Sequence, residues 1–249
     1  MNVKNIKSFV EFYESLGIST FITKSQRSSN TRSNSIYLEK DNPIIINENS
    51  IKDKIDRLNI LKDKVEKLDC GLKDIATNIV FSDGQHNSKI MLIGEAPGAE
   101  EDKAGKPFVG QAGKLLDKML KFIQLDRKKN FYITNIVFWR PPGNRTPNDQ
   151  EINICLPYVK EHIRIINPQL IIPLGNIAAK SILQTNQGIT KIRGKDFFYL
   201  DDENNFKIEA IPIFHPAYLL RNPIEKKHVW EDLKKIYKVI KEKRISLDG

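Results

Sequence analysis

Cysteine is scarce in this chain: Cys70 and Cys155 are the only two in 249 residues. Two thiols cannot make a disulfide scaffold, and alone they cannot supply a four-thiolate metal site. No run of about 18 apolar residues occurs, which excludes a spanning helix. The opening stretch, MNVKNIKSFVEFYESLG, lacks the apolar centre of a secretory signal, so a cytoplasmic location is expected. There is no internal repeat, no G-x-G-x-x-G and no G-x-x-x-x-G-K-[ST]. The dinucleotide and P-loop readings therefore lose the glycine spacing on which their phosphate cradles depend.

What is present in excess is positive charge. Lys and Arg number 40 against 31 Asp and Glu, a formal net charge of +9, which favours an anionic partner without saying anything about fold. With 40% hydrophobic and 29% charged residues the composition is that of a globular protein, and the length fits one large or two small domains.

The chain divides by pattern. Ile6, Phe9, Val10, Phe12 and Tyr13 fall at helical spacing over 4–16, and Ile51, Ile55, Leu58, Leu61, Val65 and Leu68 do so over 50–69, predicting two amphipathic helices. The polar, basic stretch SQRSSNTRSNS at 25–35 reads as a flexible linker, with a DNA-contacting loop as the alternative. From residue 89 onward, short apolar runs alternate with helical stripes. The runs are IMLIG (90–94), FYITNIV (131–137), QLIIPLG (169–175) and IEAIPIF (208–214). Nearly continuous apolar character predicts strands covered on both faces. Between them lie a stripe through Leu115, Leu116, Met119, Leu120 and Ile123, a helix over 147–166 with Thr146 as N-cap and Pro147 in first position, and a short helix after Gly175. A last helix at 224–243 is apolar on one side and lysine-rich on the other. Strand alternating with helix implies an α/β fold with a mostly parallel sheet and helices on both faces.

In such sheets ligands sit at the carboxyl ends of the strands. Those ends read GEAPGAEED (94–102), TNIVFWRPPGNR (134–145), LGN (174–176) and HPAYLLR (215–221). In the first, Glu95, Glu100, Glu101 and Asp102 can act as a water-orienting carboxylate or as an acidic helix cap, and they would repel a phosphate at short range. Pro107 presents Phe108, either as a core residue or as a platform for a planar base. The Asn135 amide, which carries both a donor and an acceptor group, suits the edge of uracil, or it is a buried turn residue. Arg140 and Arg145 can position phosphates or solvate their loop. His215, directly after an apolar run, can donate to an oxygen that gains negative charge, and Tyr218, Leu219, Leu220 and Arg221 after it form an apolar and basic patch suited to entering a duplex.

Taken together and in order, these four motifs resemble the uracil-DNA glycosylase superfamily, and specifically its family 4, over about residues 66–235. The resemblance implies a three-layer α/β/α sandwich around a four-stranded, mostly parallel sheet. It implies a glycosylase domain at 66–249 preceded by a helical extension at 1–65, acting as a monomer on uracil-containing DNA, single or double stranded. By position, Glu95, Ala96 and Gly98 match the motif that contacts base and sugar. Glu101 matches the acid assigned to water activation, Phe108 the stacking aromatic, Asn135 the uracil-reading amide and His215 the histidine that stabilises the departing anion. Leu219, Leu220 and Arg221 match the inserting loop. Where the better-known family 1 enzymes of the superfamily have a tyrosine that blocks the thymine methyl, Gly98 stands here, so the resemblance implies a wider substrate range that includes other deaminated bases.

One departure stands out. Family 4 implies a [4Fe–4S] cluster on four cysteines, and here Cys70 and Cys155 match the second and fourth ligands while Lys67 and Trp139 occupy the first and third. No intact cluster is expected, with Trp139 and hydrophobic packing in its structural place. The competing functional readings are a non-catalytic uracil-DNA or single-strand-binding accessory protein and a hydrolase of free nucleotides.

Overall fold

IMLIG is buried at every position because both of its faces are covered, and the same holds for YITN at 132–135 and LIIP at 170–173. In the computed structural model, which describes residues 6–15, 17, 48–201 and 206–247, these runs form the centre of a six-stranded sheet. In chain order the elements are α1 (Ile6–Ser15), α2 (Glu48–Glu66), β1 (Asp83–Gly84), β2 (Ile90–Gly94), α3 (Ala99–Ala104), α4 (Gln111–Lys121) and β3 (Tyr132–Asn135). They continue with α5 (Asp149–Ile166), β4 (Leu170–Pro173), α6 (Asn176–Leu183), the one-turn α7 (Ile189–Ile192), β5 (Phe197–Asp201), β6 (Phe206–Ala210), α8 (Pro216–Arg221) and α9 (Lys226–Glu242). The stretch 25–35, expected as a linker, lies outside the described residues.

The strand order is β1-β3-β2-β4-β6-β5. Its four central members are parallel and are the four expected strands, with β2 and β3 in register at Gly94 and Asn135, and β2 and β4 at Ile93 and Pro173. Two antiparallel edges were not foreseen: β1 is only two residues long, and β5 alternates between buried and exposed rather than running apolar throughout. Such a half-covered strand suits an edge, where one face meets water. The fourth expected run, 208–214, is a strand only as far as Ala210, after which Ile213 makes a single parallel bridge to Leu174.

Side-chain alternation along the strands feeds two cores. Ile90, Leu92, Ile133 and Ile172 face one core with α4, α8, α9 and α1; Met91, Ile93, Tyr132 and Ile171 face the other with α2, α5 and α6. This is a three-layer α/β/α sandwich. The N-terminal helices belong to it. Phe12 of α1 is fully buried, with its ring 4.8 Å from Trp230 and 5.0 Å from Phe122, and the Tyr13 hydroxyl donates to the Lys227 carbonyl at 2.8 Å. Leu58, Leu61 and Val65 of α2 pack on the other side, where Lys54 Nζ donates to the Ile166 carbonyl at the end of α5. Among the described residues no helix is long and apolar enough to cross a membrane.

The start of α5 differs from expectation. Its N-cap is Asn148, whose Oδ1 accepts from Glu151 N at 2.8 Å while a Glu151 carboxylate oxygen accepts from Asn148 N at 2.8 Å. This reciprocal pair satisfies two amides at once, which a Thr146 cap with Pro147 behind it would not. Loops leaving β2 and β6 run to the α4 and α9 face, those leaving β3 and β4 to the α5 and α6 face, and the carboxyl edge opens between them.

Candidate active site

That opening is a cleft of about 440 Å³. Glu95, Ala96, Gly98, Glu101, Phe108, Asn135, Arg145, His215 and Arg221 all line it, although they come from separate stretches of the chain. Arg140 does not; its Nε donates to Asn144 Oδ1 at 2.7 Å beside the cleft. Leu219 corrects the expected patch. It is fully buried in the core with Pro216 because α8 turns that face inward, leaving Leu220, 42% exposed, as the outward leucine. Ile224, 72% exposed, follows in a short 3-10 turn after the end of α8.

Asn135 ends β3 opposite Gly94, and it is almost wholly buried. Its Oδ1 has no hydrogen-bond partner, an arrangement that costs a protein free energy unless a ligand supplies the donor. A side chain at Gly94 would collide with both this oxygen and the Phe108 ring, so glycine there lets amide and ring converge. Phe108 belongs both to the core cluster and to the cleft wall, with its ring 5.6 Å from that of His215 and tilted by 35°.

His215 is the N-cap of α8. Its Nδ1 accepts from Ala217 N at 3.1 Å, so in the neutral ring the proton is on Nε2, available as a donor. Burial, with the Arg221 charge adding to it, pushes its pKa down to about 4, which keeps the ring neutral at physiological pH. Gly175, with φ +90°, passes so close that a Cβ there would sit 2.8 Å from the His215 Cβ.

The four acids divide. Glu100 is exposed, and buried Asp102 accepts from Thr77 N and Asn78 N through Oδ1. Glu101 braces the cleft: Oε1 accepts from Val109 N at 2.9 Å and Gly110 N at 2.8 Å, while Oε2 accepts from Gly98 N at 3.2 Å. Glu101 therefore caps α3, one of the two expectations, and its carboxylate also lines the cleft. Glu95 is half-buried, and that burial raises its pKa, opposed by a hydrogen bond with Thr146 and by the Arg221 charge. Thr146, freed from capping α5, is one residue that sequence reasoning missed. Arg127 is another: it donates to the carbonyls of Pro107 and Phe108. Arg145 at the rim is held by Glu151, so its charge is partly neutralised. The lysines of α9 are largely paired too, Lys235 with Asp196 and Lys238 with Glu242.

The thiols lie in the core on the α2 and α5 face of the sheet. Cys70 and Cys155 are both buried, free and side by side, and desolvation, with the neighbouring Cys70 adding to it, pushes the Cys155 thiol up to about 12. Lys67 is exposed and Trp139 is buried in the same apolar cluster as the cysteines. No group of three or more His, Cys, Asp or Glu is placed to hold a metal among the described residues. An ammonium and an indole cannot replace thiolates on a cubane, so the residues present do not fit the four-cysteine cluster.

Comparison with known proteins places the chain in a family. The family model of the uracil DNA glycosylase superfamily matches residues 81–234. Type-4 uracil-DNA glycosylases are similar to the chain: that of Sulfurisphaera tokodaii is 42% identical over 184 residues, covering 72% of this chain and 83% of the relative. That of Saccharolobus solfataricus is 40% identical over 200 residues, 78% and 92%. That of Thermotoga maritima is 39% identical over 188 residues, 74% and 95%.

Proposed function

The chain belongs to the uracil DNA glycosylase superfamily, and from that premise we propose that it excises uracil from DNA by hydrolysing the N-glycosidic bond, leaving an abasic site for base excision repair. The observation that carries the proposal is the buried Asn135 in the cleft wall, whose Oδ1 has no partner, beside a neutral histidine with a free N–H. A flipped uracil supplies what both lack: N3–H as a donor to Asn135 and O2 as an acceptor for His215 Nε2. Phe108 stacks on the base, at about 1–3 kcal/mol for such a platform.

As the bond breaks, positive charge grows on the sugar and negative charge on uracil O2. His215 donates to the anion from a fixed, desolvated position, so the interaction strengthens as the charge develops. Glu101 and Glu95 orient water and favour the sugar cation. Glu101 has both lone pairs of Oε1 taken and one left on Oε2, so Glu95, raised in pKa and tied to the protein through one hydroxyl, shares that work. Arg221, with Arg145 and Arg140 beside the cleft, takes phosphates without reading sequence, and Leu220 enters the opened step in place of the buried Leu219. The chemistry needs no metal-bound step, and the fold-supporting role of a cluster falls to Trp139 and its apolar neighbours. We place the protein in the cytoplasm as a monomer, with the glycosylase domain at 66–249 and the described helices α1 and α2 of the extension at 1–65 bracing it.

The test is incubation with a labelled uracil-containing oligonucleotide followed by alkali. Cleavage at the uracil position on single or double strands is expected. Binding without cleavage would leave a uracil-sensing accessory protein.

A further inference from the structure

We propose that Arg127 is a positioning residue that sets the aromatic platform of the cleft; this rests on the reading of the cleft as a uracil pocket. Phe108 has φ 55°, a left-handed conformation disfavoured for a side chain of its size. Something must hold it there. Arg127 Nη1 donates to the Pro107 carbonyl at 3.0 Å and Nη2 to the Phe108 carbonyl at 2.8 Å. The guanidinium is itself oriented by two carboxylates on different elements: Asp83 of β1 accepts from Nη1 at 3.1 Å, and Asp117 of α4 accepts from Nε at 3.2 Å and Nη2 at 3.0 Å.

The opposite side of the same loop is held by Glu101, which takes the amides of Val109 and Gly110. Gly113 of α4 lets the Phe108 carbonyl approach so closely that any Cβ there would collide with it. Carbonyls are pulled one way and amides the other, and the ring between them is presented to His215. Arg127 does not line the cleft, so whatever it does to the base it does through Phe108. Its planar fork spans four acceptor groups at once, which the point charge of a lysine cannot do.

The measurement is a double-mutant cycle of Arg127→Met with Phe108→Ala, read as KM on uracil-containing DNA and as inhibition by free uracil. Each single variant is expected to weaken both by about tenfold, within the range of one lost base stack, with kcat changed less. The double variant is expected to lose no more than either single one, because the two act as one unit. Arg127→Lys is expected to behave like Arg127→Met. Should Arg127→Met fail to fold, Asp117→Asn, which removes one orienting partner, takes its place in the cycle and is expected to give a smaller, equally non-additive loss. Wild-type kinetics in the arginine variant, additive losses, or rescue by lysine would overturn the inference alone. A wild-type chain that releases no uracil would overturn the pocket reading and the inference with it.

Discussion

The cleft and the apolar cluster around the thiols are built on the same sheet and solve opposite problems. In the cleft, Asn135 Oδ1 has no partner, His215 lines the wall with its Nδ1 already engaged, and Phe108 is held in a disfavoured conformation. Around the thiols, Cys70, Cys155, Trp139, Phe138, Leu61 and Val65 share one apolar cluster and pack against one another. The difference teaches which region a ligand completes. A site built for substrate tolerates local cost that the rest of the fold must offset, whereas the residues around the thiols contribute apolar packing.

The sharpest way to break this contrast is to attack packing. Trp139→Ala removes a large buried side chain and is expected to cost about 3–5 kcal/mol of stability, with the excision rate per folded molecule retained. Denaturant unfolding and active-site titration check it. Chelation followed by melting should leave stability unchanged; a large drop would mean that a metal supports the fold after all. In the cleft the expectation is reversed. His215→Ala should lower the single-turnover rate by about 10²–10³-fold, as removal of an anion-stabilising donor does elsewhere, while DNA binding persists.

Acid separates the regions less strongly. His162 is fully buried among Phe81, Tyr132 and Phe138 with both ring nitrogens unpartnered, and desolvation lowers its pKa from 6.5 to about 3. A folded pKa below the unfolded one means that the unfolded chain binds the proton first. The stability is whole above pH 6.5 and falls as pH drops toward 3, by up to about 1.4 kcal/mol per pH unit for this group. His162→Phe should flatten that slope in urea melts at successive pH values; an unchanged slope would assign acid lability to other groups. The smallest effect is expected at the rim. Leu220→Ala should slow excision from duplex severalfold and from single strands hardly at all, and equal slowing on both would remove its role as a wedge.

Much of this was legible before the fold was known. Continuous apolar runs marked the four parallel strands, because a strand covered on both faces has no polar position to reveal its period. The polar stretches after them marked the cleft for the same topological reason. What escaped was set by reach across the fold. Arg127 meets the carbonyls of Pro107 and Phe108 through the fold, and no spacing rule announces a guanidinium on a main-chain oxygen. Gly113, a glycine inside a helical stripe, was the available hint of a close approach. Leu219 was misread because three apolar or aromatic residues in a row do not say which one a short helix turns inward. The Thr146 cap failed because Asn148 and Glu151 form a reciprocal cap two residues later.

The account rests on a cleft that a uracil base completes, and direct quantification of free uracil released from uracil-containing DNA tests this most plainly. Wild-type protein is expected to release uracil in an amount equal to the abasic sites formed, with Asn135→Ala reducing that release far more than it reduces DNA binding. Release of no uracil from single or double strands, or full release by the Asn135 variant, would contradict it.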